Sequence, residues 1–416
     1  MKLTVASVLA MIGAAAAQTN GPYAIGAAAP GFETGVLNTT ILCNVSSTGL
    51  NLKNQQILFG LAANLPNVVA ASQPFYVQAA TRLIVPASIN NLAYGFGART
   101  YAGNATKVIV NAKGATPATL DAAVTPIAIP SAPVVSGGVS ILNVPAIGSS
   151  IKVGPFQGTT AGSNIVFSIG DIAATVNTYN STGGQTFLVA NITCPSQTRP
   201  ASLAFVGVGA AGSTAAITPA GVPSVPTIPI NSTAGVTGYN YQCTFTNVGT
   251  AAVQVSLGGA KSSNAPVASG SSIAITQGQG NIYSSTALVN LIKGKYPSAT
   301  NFAITISSLA FNSVNASPAT QNGIPSGGLT SPSQAISSTA VVTIPNGAPT
   351  TTLPPVTFTA SGASGSVAGI SLGAAAGTLQ VYNGASSLGS VAFSCPALSP
   401  NVPIFPFDVS TIAVNT

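Results

Sequence analysis

The chain has 416 residues, 46% of them hydrophobic, yet only eleven Lys or Arg, four Asp or Glu and no His. With charged residues at 4%, against about a quarter in ordinary proteins, the polar surface must come from Ser, Thr, Asn, Gln and Gly. The missing histidine excludes a Ser-His-Asp triad and removes a principal zinc ligand, and the net charge of +7 reflects absent acids rather than clustered bases.

The first residues read as an export signal. Lys2 precedes an apolar run over 5–12 that is too short to span a bilayer, and Ala15-x-Ala17 before Gln18 is a small-residue cleavage site. The chain divides into a signal peptide (1–17), an N-terminal segment (18–36), a first repeat (37–198), a Gly/Pro-rich connector (199–236), a second repeat (237–400) and a tail (401–416). In the first repeat, residues 186–192 alternate as a strand, and Thr119-Leu120-Asp121-Ala122-Ala123 predicts a short helix. Residues 201–221 are rich in Ala and Gly, poor in large apolar side chains and interrupted by Pro219, so they predict a strand and linker rather than a membrane span.

Within that stretch Gly207-Val208-Gly209-Ala210-Ala211-Gly212 matches the dinucleotide fingerprint. Such a site needs a following helix and an acid about twenty residues on; here Pro219, Pro223, Pro226 and Pro229 follow and no acid occurs before Asp408, so no cofactor is expected. The prolines predict an extended, semi-rigid connector that holds the repeats apart like beads. In the second repeat, 272–276, 303–307 and 380–382 predict strands and 284–292 a short helix. The tail lacks the long apolar ending of a lipid-anchor signal.

Duplication is read from several features in one order. Cys43 and Cys194 are 151 apart, Cys243 and Cys395 152 apart. Residues 139–145 and 339–345 share their apolar pattern and a final proline, and Pro155 matches Pro355. Phe167-Ser168-Ile169-Gly170 matches Ile370-Ser371-Leu372-Gly373, Tyr179-Asn180 matches Tyr382-Asn383, and similar strands lead into Cys194 and Cys395. Each copy then holds one early and one late cysteine, so Cys43–Cys194 and Cys243–Cys395 is the expected pairing among the three that four cysteines allow. Loops of that length remove about 4–5 kcal/mol of unfolded-state entropy in the chain-entropy model.

Short Val-, Ile-, Thr-, Phe- and Tyr-rich runs broken by Gly, Pro, Asn and Ser predict an all-β protein of two tandem immunoglobulin-like β-sandwich domains, each closed by one disulfide. Tyr241-Gln242-Cys243 with Ser371-Leu372-Gly373 and Cys395, and Leu42-Cys43 with Ser168-Ile169-Gly170-Asp171 and Cys194, resemble a family of secreted bacterial domains of unknown function, best known from actinobacteria. That resemblance implies an extracellular β-sandwich and no activity.

Catalytic chemistry has few carriers. The acids are Glu33, Asp121, Asp171 and Asp408, and the second repeat contains none, so a carboxylate pair has to be assembled within or around the first repeat, where Asp121 and Asp171 are the two that could meet, with turn or surface roles as the ordinary alternative. No Asp-x-Asp spacing suggests calcium, and no catalytic or metal-binding residue is assigned. Lys and Arg are scattered singly except for Lys293-x-Lys295, which argues against nucleic acid as a partner. Seven sequons offer acceptors for N-glycans: Asn38, Asn44, Asn104, Asn180, Asn191, Asn231 and Asn315. The expected protein is secreted, extracellular or wall-associated, structural or adhesive rather than enzymatic, with wall or matrix polymers or its own copies as partners. A polysaccharide- or ligand-binding module is the alternative; without Trp it has only ten Tyr and fifteen Phe to offer a sugar.

Overall fold

A computed structural model describes residues 32–66, 68–146, 149–197, 200, 202–210, 233–262, 266–346, 351–397 and 402–410. The predicted signal peptide and Pro219, Pro223, Pro226 and Pro229 of the connector lie outside the described residues. About 64% of the structure is strand and 6% helix, an all-β fold in two copies.

The first copy runs β1 (Phe32–Ser47), β2 (Leu50–Leu65), β3 (Val68–Ala70), β4 (Pro74–Val85), α1 (Ala87–Gly95), β5 (Thr100–Lys113), β6 (Ala115–Thr116), β7 (Thr119–Asp121), β8 (Ile127–Pro133), β9 (Ser140–Val144), β10 (Ile151–Gly158), β11 (Asn164–Tyr179), β12 (Gln185–Cys194) and β13 (Ala204–Gly209). The second runs β14 (Thr233–Phe245), β15 (Gly249–Lys261), β16 (Val267–Ala268), β17 (Ser272–Tyr283), α2 (Thr286–Lys295), β18 (Asn301–Val314), β19 (Ala316–Ser317), β20 (Thr320–Asn322), β21 (Leu329–Thr330), β22 (Gln334–Ala335), β23 (Val341–Ile344), β24 (Val356–Ala360), β25 (Val367–Asn383), β26 (Ser386–Cys395) and β27 (Val402–Ser410).

Each pairing in the first copy recurs in the second. The ladder β10–β4–β2–β1–β12–β11–β5 is answered by β24–β17–β15–β14–β26–β25–β18. Both ladders close on themselves, because β6 continues β5 and pairs β10, as β19 continues β18 and pairs β24. The corner that turns β5 into β6 sits at Gly114, φ +94°, where a Cβ would lie 2.6 Å from the Asn164 carbonyl oxygen. Its counterpart is Asn315, φ +53°, a residue type that tolerates the left-handed region. The pairings do not single out the immunoglobulin type.

Strand alternation fills the interior. In β11, Ile165, Phe167, Ile172, Ala174 and Val176 are buried, and Phe167 meets Phe156 at 5.4 Å and Phe75 at 6.3 Å edge-to-face. Cys43–Cys194 joins β1 to β12 and Cys243–Cys395 joins β14 to β26, the expected bridges. In the second copy Tyr241 crosses the interior and its hydroxyl donates to the Gly373 carbonyl at 2.8 Å.

Two expectations need correction, and one helix shifts its bounds. Residues 119–123 are not helical: Thr119–Asp121 is β7, paired with β5, and the ladder overrides local helix propensity. The helix at 284–292 forms as Thr286–Lys295, its first turn capped by Ser285 Oγ accepting from the Leu288 amide at 3.0 Å and its last turn carrying Lys293 and Lys295. The repeats also do not sit apart. β1 pairs β14 antiparallel, Phe32 opposite Thr237 and Leu37 opposite Thr233, so one sheet runs β4–β2–β1–β14–β15–β17 through both copies. Because counterparts lie 200 residues apart, this register pairs like with like about an approximate two-fold axis. β13, inside the span read as connector, joins β11 and β3; β27, read as tail, joins β25 and β16; the two pack beside each other. Lys261 fastens the junction: it is 1% exposed, its Nζ donates to the Ser202 carbonyl of the first copy at 3.0 Å and lies 5.1 Å from the Phe407 ring centroid.

Candidate functional site

The acids that sequence reasoning singled out serve as anchors. Asp171, at a bulge in β11, takes Lys107 Nζ at 2.9 Å and the Ser196 amide at 2.7 Å. The Lys107 hydrogen bond, helped by Ser196, holds its carboxyl down at about 2, so it stays ionised and has no proton to give near neutrality. Asp121 caps the end of β7, its Oδ1 accepting from the Val108 and Ala123 amides at 2.9 and 2.8 Å. Lys107 is the shared neighbour, held in its charged form by Asp171 first and more weakly by Asp121. Two carboxylates committed to amides and an ammonium are turn and strand fixtures. Glu33 and Asp408 lie on β1 and β27. Among the described residues no cluster of three or more His, Cys, Asp or Glu offers a metal site.

Gly207, Val208 and Gly209 of the Gly-rich fingerprint lie in β13, and Ala211 and Gly212 fall outside the described residues. Gly207 pairs Asn164 and Val68, and the Val208 amide donates to the Ser163 carbonyl, so this part of the motif is built into ladders. An apolar cavity of about 70 Å³ inside the second copy, lined by Tyr241, Phe245, Leu288, Ile306 and Phe393 among others, is far smaller than a drug-sized site.

Beside the Lys107–Asp171 ion pair, what the outward faces of these strands present is mostly neutral hydroxyl and amide. Alternation turns Asn44 and Ser46 of β1, Asn191 and Thr193 of β12, Thr175 of β11 and Asn104 of β5 away from the core. A row across four ladders reads Asn104, Thr175, Asn191, Ser46, Asn51. The second copy repeats the face without any charge: Ser308, Ala376, Ser394, Thr244 and Thr250 form one row, and Thr330, Thr305, Thr378 and Ala392 the next. Thr305 and Thr330 hydroxyls meet at 2.9 Å. Strands about 4.8 Å apart set these groups on a regular lattice.

One exposed aromatic cluster escaped sequence reading. At the end of α1, Tyr94 and Phe96 are 38% and 45% exposed, and the Arg99 guanidinium stacks 3.7 Å from the Tyr94 ring centroid while donating to the Tyr94 and Ala98 carbonyls. Its trace in the sequence is Tyr94-Gly95-Phe96-Gly97-Ala98-Arg99, aromatics alternating with glycine.

The sequons separate by place. Asn104, Asn180 and Asn191 are exposed and Asn44 is half-buried, all in the first copy; Asn315 is exposed in the second. Asn38 lies on β1, and Asn231 falls outside the described residues. No family model matches the chain, and neither a curated protein nor a solved structure matches it.

Proposed function

We propose that the protein is a secreted, non-enzymatic structural or adhesive component of a cell surface, cell wall or extracellular matrix, one that associates with wall or matrix polymers or with its own copies. The observation that carries this reading is the pair of Ser/Thr/Asn-rich, sparsely charged faces, one on each repeat, joined through the β1–β14 pairing. Rows of outward-facing hydroxyls and amides, some already bonded to one another, have further donors and acceptors for another polar lattice, and sparsely charged faces offer little repulsion between copies. Two disulfides suit an oxidising extracellular setting. The test is fractionation of secreting cells: the protein is expected with the wall or matrix material, and recovery solely as free monomer in the medium counts against the reading.

The Tyr94, Phe96 and Arg99 cluster favours a second reading, a polysaccharide-binding module, since stacked aromatic faces suit sugar rings. Binding to a glycan array that Tyr94→Ala abolishes would establish it; an array without hits would remove it.

A further inference from the structure

We propose that N-linked glycans attach to the first repeat at Asn44, Asn104, Asn180 and Asn191, and that Asn315 of the second repeat stays bare. The inference rests on the secreted reading, since the modification takes place on the export route.

Attachment is a substitution at the side-chain amide. Nδ2 attacks the anomeric carbon of an oligosaccharide carried on a lipid diphosphate; the C–N bond forms as the C–O bond to the diphosphate breaks. The lipid diphosphate leaves with that electron pair, and one Nδ2 proton passes to base. The product is tolerated in the folded protein where the oxygen end of the amide faces the protein and the nitrogen end faces out.

That is the arrangement at Asn44, Asn180 and Asn191 of the first repeat. Asn44 Oδ1 accepts from the Asn54 amide at 3.1 Å. Asn180 Oδ1 accepts from the Thr182 amide at 3.0 Å, the Thr182 hydroxyl at 2.8 Å and the Gly184 amide at 2.9 Å, at the tip of the β11–β12 hairpin. Asn191 Oδ1 accepts from the Thr175 hydroxyl at 3.1 Å. Backbone N–H donors fix which end is oxygen at Asn44 and Asn180 without ambiguity. Asn104 is exposed in the same row, two strands from Asn191. Asn315 is turned the other way: its Nδ2 donates to the Val367 carbonyl at 2.9 Å, so the nitrogen that would carry the sugar lies against the end of β25.

Asn44, Asn104 and Asn191 also belong to one sheet, and Asn180 lies on the hairpin turn that joins two of its strands. Asn44 stands opposite Thr193 and Ser46 opposite Asn191, which makes the two asparagines diagonal neighbours at roughly 7–8 Å. In the second copy the counterparts are Thr244, Thr305 and Ala392 for Asn44, Asn104 and Asn191, and Asn383-Gly384-Ala385 at the hairpin tip is no sequon. Glycans therefore cover the polar face of one repeat and leave that of the other free for contact.

The experiment is site-by-site glycopeptide mass spectrometry of the full chain secreted by a eukaryotic host. The expected result is occupancy at Asn44, Asn104, Asn180 and Asn191, none at Asn315, and loss of all glycosidase-sensitive mass at these positions in a variant with those four changed to Gln. A secreted, fully disulfide-bonded chain without sugar, or with sugar at Asn315, overturns the proposal while leaving the secreted reading standing. A chain retained inside the cell with free thiols overturns both.

Discussion

Asn90, on α1 and fully buried, donates to the Gly138 carbonyl at 2.7 Å and accepts from the Tyr101 hydroxyl at 3.0 Å. Burial pushes that phenol up to about 12, so it remains a donor at any ordinary pH. Asn90→Leu should cost about 2–4 kcal/mol in denaturant unfolding, because two buried polar groups lose their partner at once. Lys261→Met removes the charged donor to the Ser202 carbonyl and should cost about 1.5–3 kcal/mol by the same measurement, the scale of a hydrogen bond to a charged donor. Asp171 sets a pH dependence of known sign. Its pKa is depressed from 3.8 to about 2, so the pair with Lys107 stabilises the fold above the unfolded value and is lost as pH falls from about 4 toward 2. Thermal melts of Asp171→Asn should lack that acid-side decline; an unchanged decline would locate it elsewhere.

Among elements, legibility followed local signals. α2, read at 284–292, runs instead from Thr286 to Lys295 behind a Ser285 cap that the reading did not identify, and Ser285→Ala should cost about 1 kcal/mol, more if the loss of its bond to the Ala252 carbonyl also counts. α1 gave no notice: Pro86 at its start offers no side-chain cap, and its buried face is Asn90 and Ala93 rather than an apolar stripe. Thr119-Leu120-Asp121 looked helical because propensity counts neighbours in sequence, whereas β7 exists through its ladder to β5. The alternating run read as a strand at 186–192 lies within β12. The row built across β5, β11, β12 and β1 was not readable, since register between distant strands leaves no mark in either strand alone.

At the scale of the molecule, matched cysteine spacings and shared patterns made the duplication and both bridges readable. Breaking Cys243–Cys395 by serine substitution should cost about 2–5 kcal/mol, measured on the non-reduced protein. The junction was misread because proline-rich composition speaks for the connector and not for what lies beside it. β1 with β14, and β13 with β27, hold the repeats together independently of that linker. The candidate contact faces follow from this: two counterpart polar surfaces on one framework, one dressed with sequons and one without a charge. Sedimentation velocity of the secreted, disulfide-intact protein over a wide concentration range tests the structural reading most directly. Concentration-dependent assembly that Thr244→Lys with Thr378→Lys suppresses is the predicted result; a monomer at every concentration, in the presence and absence of wall polymer, would contradict it.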